Sequence, residues 1–224
     1  KFLVTFTPDQ IPQGGKYTVS VKDTTTDAQA AVANDVLLGG AGTEANPYLI
    51  GSARDFDLVN KSNVAAGTYF EMVASITIET SRTEQTGFEF NGTLKGNGRT
   101  ITLENSNCGA IYKVGQQGYV YNVGIAGAIS TALYDSIGSI ADFNAGRIEK
   151  INTTANVEST AGLAGSNGLA NALNDTLPDG EGKRGIAGGV VGTNLVTGIV
   201  VDCKITTTSS STGTIKACIA GGTI

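Results

Sequence analysis

The chain has 224 residues, 40% of them apolar, with a formal net charge of −5 and no histidine. A chain this long buries a sizeable core without staples, while the acidic balance offers a phosphate backbone no basic face and argues against nucleic acid as a partner. The missing imidazole excludes Ser/His/Asp and Cys/His nucleophile systems together with histidine metal sites.

Charged residues make up only 16% of the chain and glycine contributes 31 positions. Low charge, abundant glycine and evenly spread apolar residues describe a fold of many tight turns, because a disordered chain lacks the apolar side chains that offset ordering entropy. No stretch reaches the roughly 20 apolar residues of a membrane span. The sequence starts at Lys1 without a signal peptide and stops at Ile224 in mid-pattern, and is read as a segment of something longer.

In chain order, Lys1–Thr7 and Lys16–Lys22 are β-patterned, separated by Pro8, Pro12, Gly14 and Gly15. They predict a β-hairpin segment over 1–38, either the tail of a preceding β-sandwich or a lid on the main domain. Glycines 39, 40 and 42 mark the boundary, and 39–224 reads as the second unit. Tyr48-Leu49-Ile50 then precedes Ser52, an N-cap three residues ahead of Asp55, with Phe56, Leu58 and Val59 as the apolar stripe of a helix of about eight residues. A strand over Tyr69–Glu79 is expected next.

From Phe88 onward the sequence repeats. Gly118-Tyr119-Val120-Tyr121-Asn122-Val123 matches Gly146-Arg147-Ile148-Glu149-Lys150-Ile151 and Gly198-Ile199-Val200-Val201-Asp202-Cys203. The shared rule is a turn glycine followed by apolar residues at every second position, the period of a strand with one buried face. Shorter glycine-led pieces lie upstream: Gly109-Ala110-Ile111, Gly138-Ser139-Ile140 and Gly188-Gly189-Val190. Ile186-Ala187-Gly188-Gly189 recurs verbatim at Ile219-Ala220-Gly221-Gly222. The turn glycines at 118, 146 and 198 are 28 and 52 residues apart. The second interval reads as two periods with one coil blurred.

A strand period in the mid-twenties predicts an all-β chain, a β-solenoid of stacked parallel strands with a short N-terminal capping helix. Glycine is expected at its corners for positive φ. The Gly-, Asn- and Asp-rich stretch from Ala161 to Arg184 is expected to protrude as a loop.

These residues resemble bacterial surface proteins carrying GLUG-type repeats. The resemblance rests on Gly42-Thr43-Glu44-Ala45-Asn46-Pro47-Tyr48-Leu49-Ile50, the helix at Ser52–Asn60, Tyr69-Phe70-Glu71-Met72, Phe90-Asn91-Gly92-Thr93-Leu94-Lys95-Gly96-Asn97-Gly98 and the glycine-led repeats. It covers about 42–224. It implies a right-handed parallel β-helix on an exported, extracellular or cell-surface protein in adhesin-like architectures, and implies no catalytic residues.

The candidate sites are few. Tyr112, Tyr119 and Tyr121 suggest carbohydrate stacking, because aromatic faces pack on sugar rings and Tyr119 and Tyr121 share a phase opposite to Val120; plain outward tyrosines on a flat sheet are the alternative. The run from Asn174 to Glu181 supplies oxygen ligands and a turn glycine, which makes Asp175, Asp179 and Glu181 candidate calcium ligands. Its spacing departs from the EF-hand loop, and a polar loop is the plainer reading. Asp135 and Asp142 are the one carboxylate pair worth weighing for catalysis, with solvated surface charge as the default. Gly96-Asn97-Gly98 reads as a tight turn, since no helix or P-loop lysine follows it.

Cys108, Cys203 and Cys218 are too scattered for a disulfide framework. They read as small buried hydrophobes, with a Cys203–Cys218 bridge as the alternative.

The expected function is an extracellular adhesion, binding or scaffold module, non-catalytic and without a cofactor. Its expected partner is a glycan or protein on a host or neighbouring-cell surface. A β-helix polysaccharide lyase or glycosidase is the rival expectation.

Overall fold

Alternation and turn glycines place short strands along the described part of the chain, and from Tyr48 onward parallel pairing is what joins them. The computed structural model describes residues 18–22, 29–34, 39–132, 136–159, 186–205, 215–216 and 219–221.

A six-stranded sheet, the first of three main ones, runs Tyr48–Ile50, Tyr69–Met72, Thr93–Lys95, Tyr119–Tyr121, Arg147–Glu149 and Ile199–Val201 in spatial order. Every neighbouring pair in it is parallel. A second sheet holds the strands that follow in the chain, from Ile76–Ile78 through Thr100–Ser106 and Gly124–Thr131 to Lys204–Ile205. A third holds those that come before: Glu89–Phe90, Ile111–Val114, Ala141–Asn144 and Val191–Asn194. A smaller three-stranded sheet pairs Ile186-Ala187-Gly188 with Ile219-Ala220-Gly221, as the verbatim repeat predicts. From Glu89 onward, each pass of the chain visits the third, first and second sheets in that order. The result is an all-β protein of parallel sheets.

The register agrees with the aligned glycine-led segments. Tyr119 pairs with Arg147, and Arg147 with Ile199. The 52-residue interval is therefore a single pass, not two with one blurred: the strands at 147–149 and 199–201 are direct neighbours, and Ala141 likewise faces Val191. The expected loop at 161–184 and the candidate calcium ligands Asp175, Asp179 and Glu181 lie outside the described residues. Of the upstream pieces, the one at 138 pairs with that at 188 as the sequence match has it, Gly138 opposite Gly188, while the one at 109 aligns one residue away, with Ile111 opposite Ala141.

Simple alternation fails at the corner after each first-sheet strand. Val120, Val123 and Ile125 are all buried, an interval of three followed by two. The cause is one left-handed residue that turns the chain and returns it to the same face: Asn122 (φ 56°), Lys150 (φ 54°) and Asp202 (φ 52°) occupy this position in three successive passes. The positive φ thus falls on a non-glycine residue. The glycine opening each strand answers a different need, since a Cβ on Gly146 would lie 2.2 Å from the Gly115 carbonyl oxygen.

Asn and Asp tolerate the left-handed region better than lysine does. Lys150→Asn should therefore raise stability by about 0.5–1 kcal/mol, seen as a higher urea midpoint with an unchanged slope. The Lys150–Glu149 pair that it removes, 3.4 Å long with the lysine exposed, contributes little.

The corner columns converge on an interior built from Phe70, Leu94, Val120 and Ile148 on the first sheet and Ile76, Ile101 and Ile125 on the second. Each fully buried side chain of this size contributes roughly 1.5–3 kcal/mol. On the third sheet the apolar column Phe90–Val114 gives way to Asn144 and Asn194, where the Asn144 amide donates to Asn194 Oδ1 at 2.7 Å. Asn144 is fully buried. Its Oδ1 accepts the Gly146 N–H at 3.1 Å, so this step of the ladder leaves no buried amide without a partner.

The expected helix is α1 (Ala53–Asn60). Ser52 Oγ accepts the Asp55 N–H at 3.3 Å and donates to Asp55 Oδ2 at 2.9 Å, a reciprocal N-cap. Phe56 and Val59 are buried, and the helix packs on the strands Tyr48–Ile50 and Ile76–Ile78. A second helix, α2 (Arg82–Gln85), is a single turn whose Arg82 and Gln85 are buried; it carries no apolar stripe and so has no sequence signal.

The segment 69–79 is not one strand. Tyr69–Met72 and Ile76–Ile78 lie in different sheets on either side of a corner. Within 1–38, an antiparallel ribbon forms between Thr18–Lys22 and Gln29–Asn34. The expected partner strand at Lys1–Thr7 lies outside the described residues. Among the described residues no helix is long and apolar enough to cross a membrane.

Candidate functional site: an outward tyrosine face

Phe70, Leu94, Val120 and Ile148 point inward, so their neighbours along each strand point out. The outward face of the first sheet therefore carries two columns, Tyr69–Thr93–Tyr119–Arg147 and Glu71–Lys95–Tyr121–Glu149.

Tyr119 and Tyr121 stack on one another, with ring centroids 4.7 Å apart and planes 18° from parallel. The Tyr119 hydroxyl donates to Glu149 Oε2 at 2.9 Å, and Arg147 Nε donates to the same oxygen at 2.9 Å. The Arg147 guanidinium carbon lies 5.9 Å from the Tyr119 ring centroid. One ring is thus fixed by a stack, a hydrogen bond and a cation, and pre-organisation of this kind lowers the cost of binding.

On the opposite flank Lys95 Nζ lies 3.5 Å from Glu71 Oε1, which also accepts the Asn97 amide at 2.7 Å. Asn97 (φ 53°) and Gly98 (φ 70°) form the tight turn expected of Gly96-Asn97-Gly98. Between the flanks is a trough of about 380 Å³, with Thr93 on its floor, Tyr69 on one side and the Tyr119–Tyr121 pair on the other. Glu44, Glu71 and Lys95 supply its polar lining.

Burial, and next the Glu149 carboxylate, hold the Tyr119 phenol above the ordinary tyrosine value. Glu149 is held below the ordinary carboxylate value, first by Arg147 and then by the Tyr119 hydroxyl. A lowered carboxylate contributes fully above the unfolded value of about 4.3 and loses its contribution as pH falls through the lower folded value. A raised phenol contributes below about pH 10 and loses its contribution as pH rises through the raised value. The wall therefore persists across the neutral range.

Ultraviolet titration should show the Tyr119 phenol ionising above the ordinary tyrosine value. Glu149→Gln should bring that group only part of the way back, because burial is the larger cause.

Tyr112 does not join this face. It lies on the third sheet, edge-on to Phe143 at 5.4 Å and 5.0 Å from the Arg82 guanidinium. It packs over α2 instead. Tyr69, Thr93, Glu71, Lys95, Arg147 and Glu149 carry no individual motif. They emerge once Thr93-Leu94-Lys95 is set against Tyr119-Val120-Tyr121, an alignment the flanking glycines Gly92 and Gly118 already suggest.

Asp142 is not a surface charge. It is fully buried, with Oδ2 2.9 Å from Arg82 Nη1 and Oδ1 accepting the Gly109 and Gly138 N–H groups at 2.9 and 3.1 Å. Its weighed partner Asp135 lies outside the described residues. Cys108 is buried, its thiol donating to Gln85 Oε1 at 3.0 Å. Cys203 is half-buried in the column of Val123 and Ile151, where burial raises its thiol. Cys218, its candidate bridge partner, lies outside the described residues. Among the described residues no group of three or more Cys, Asp or Glu side chains is placed to hold a metal ion.

Among the described residues, parallel sheets, two short helices and an outward aromatic face define an all-β protein. No family profile matches the chain, and no solved structure matches it. It is similar to Halomucin of Haloquadratum walsbyi (strain DSM 16790 / HBSQ001), 30% identical over 152 residues, which are 59% of this chain and 2% of that protein. The chain thus spans about one fiftieth of the length of this relative.

Proposed function

We propose that the chain is a non-catalytic adhesion, binding or scaffold module of an exported cell-surface protein. In this reading its passes close into a right-handed β-solenoid of the GLUG kind, with α1 covering the first pass. The observation that carries it is the register: every pass adds one parallel strand to the first sheet and so extends a flat outward face. Such a face suits a glycan or protein on a host or neighbouring cell, and a stack of passes also holds other domains away from a surface.

The likeness to Halomucin supports an extracellular setting, as that name denotes a mucin. The absence of histidine from the sequence and the engagement of Asp142 by Arg82 support a non-catalytic role. The test is a screen of the chain against arrayed glycans and surface proteins, beside incubation with acidic polysaccharides. A reproducible ligand with the polysaccharides left intact is the expected result. Release of unsaturated or reducing ends would instead establish the lyase or glycosidase reading.

A further inference from the structure

The first sheet changes character along its outward columns. Tyr69, Thr93 and Tyr119 face one another on adjacent strands, so the short Thr93 side chain leaves a gap two strand spacings wide, about 9.6 Å, between two aromatic side chains. This gap is the trough of about 380 Å³, whose lining includes both tyrosines and Tyr121. A volume of that order suits one or two sugar rings, with aromatic walls for the C–H face and polar groups for the hydroxyls.

The charges lining the trough set the ligand class. Two carboxylates, Glu44 and Glu71, stand there against one ammonium, Lys95, and Lys95 is already paired with Glu71 at 3.5 Å. Arg147, the next cation along the face, is committed to Glu149 at 2.8 Å. An incoming uronate or sulfate finds no uncommitted cation here and meets like charge, on a chain whose net charge is −5. Carboxylates are good acceptors for neutral hydroxyl groups.

We infer that the trough over Thr93, between Tyr69 and the Tyr119–Tyr121 pair, holds a pyranose unit of an uncharged glycan and discriminates against acidic polysaccharides. This rests on the binding-module reading and names the ligand class for it.

The probes are uncharged hexose and N-acetylhexosamine oligosaccharides on one side, and polygalacturonate and heparan-type sulfated chains on the other, titrated calorimetrically at low and high salt. The key variant is Thr93→Tyr, which fills the trough at an outward strand position where the same column already carries tyrosines and β propensity is retained. Circular dichroism and the melting temperature, unchanged in the variant, show that the fold persists.

The expected result is binding of an uncharged oligosaccharide, changed less than twofold by salt and weakened at least tenfold in Thr93→Tyr. Tyr121→Ser should weaken it to a similar degree. Equal binding by Thr93→Tyr overturns the trough as the site while leaving a binding module. Binding of acidic chains alone, weakened by salt, overturns the ligand class and likewise leaves a binding module. If no probe binds, both this inference and the glycan side of the module fail, and the spacer role is what stands.

Discussion

Gly146→Ala should destabilise the protein by about 3 kcal/mol or more, the upper range for forced overpacking, read as a fall in the urea midpoint at constant slope. The added Cβ would sit 2.2 Å from the Gly115 carbonyl oxygen, 2.3 Å from that of Gly118 and 3.0 Å from Val114 Cγ1. Two of these are backbone atoms of the neighbouring pass. They cannot rotate away, and the strand would have to leave its partner, with the Arg147 N–H bond to the Gly118 carbonyl at 2.9 Å lost in the process.

A control separates space from conformation. Gly98 has φ +70°, and its nearest contact for a Cβ is Asn122 Oδ1 at 4.0 Å. Gly98→Ala should cost only the left-handed penalty, about 1–2 kcal/mol. Equal losses at the two positions would refute close approach between passes as the reason for the glycine at 146.

Asp142→Ala should cost about 3–5 kcal/mol, the range for removing one partner of a buried ion pair. It strands the Arg82 guanidinium, only 7% exposed, in the interior and takes the acceptor from the Gly109 and Gly138 N–H groups. Arg82 also donates to the Ser136 carbonyl at 2.8 Å, so the pair ties α2 to a strand far along the chain. Arg82→Met should be comparably damaging alone, since it leaves the carboxylate uncompensated. The double variant Arg82→Met/Asp142→Ala should lose clearly less than the sum of the two, and additive losses would show that the charges are not coupled.

Much of the strand content was legible in the residues. Ser52 and Asp55 announce α1 through their reciprocal bond, and the glycine-led segments at 118, 146 and 198 align as they pair. The outward phase of Tyr119 and Tyr121 follows from Val120 between them. Other features have no local signature. A left-handed Asn122 between Val120 and Val123 has the pattern of a strand residue, so in sequence a corner resembles alternation. The insertion between 147 and 199 has a length near two periods, and length alone does not say whether the chain pairs on the way. Asp142 reads as surface charge in sequence, since its neutralising partner is remote along the chain. Its partner Arg82 arrives from a one-turn helix 60 residues earlier.

Taken alone, the chain determined its strand-rich, parallel-compatible character, its one capped helix and the inward and outward phase within the glycine-led strands, since these depend on windows of a few residues. Tertiary structure decided which strands are neighbours, how the long interval is absorbed and which outward side chains meet across passes. Parallel partners lie from 22 residues apart, at Tyr48 and Phe70, to 58 apart, at Val157 and Ile215, so their register is chosen by the packing of whole passes. Tyr69, Thr93 and Tyr119 become one trough only through that choice.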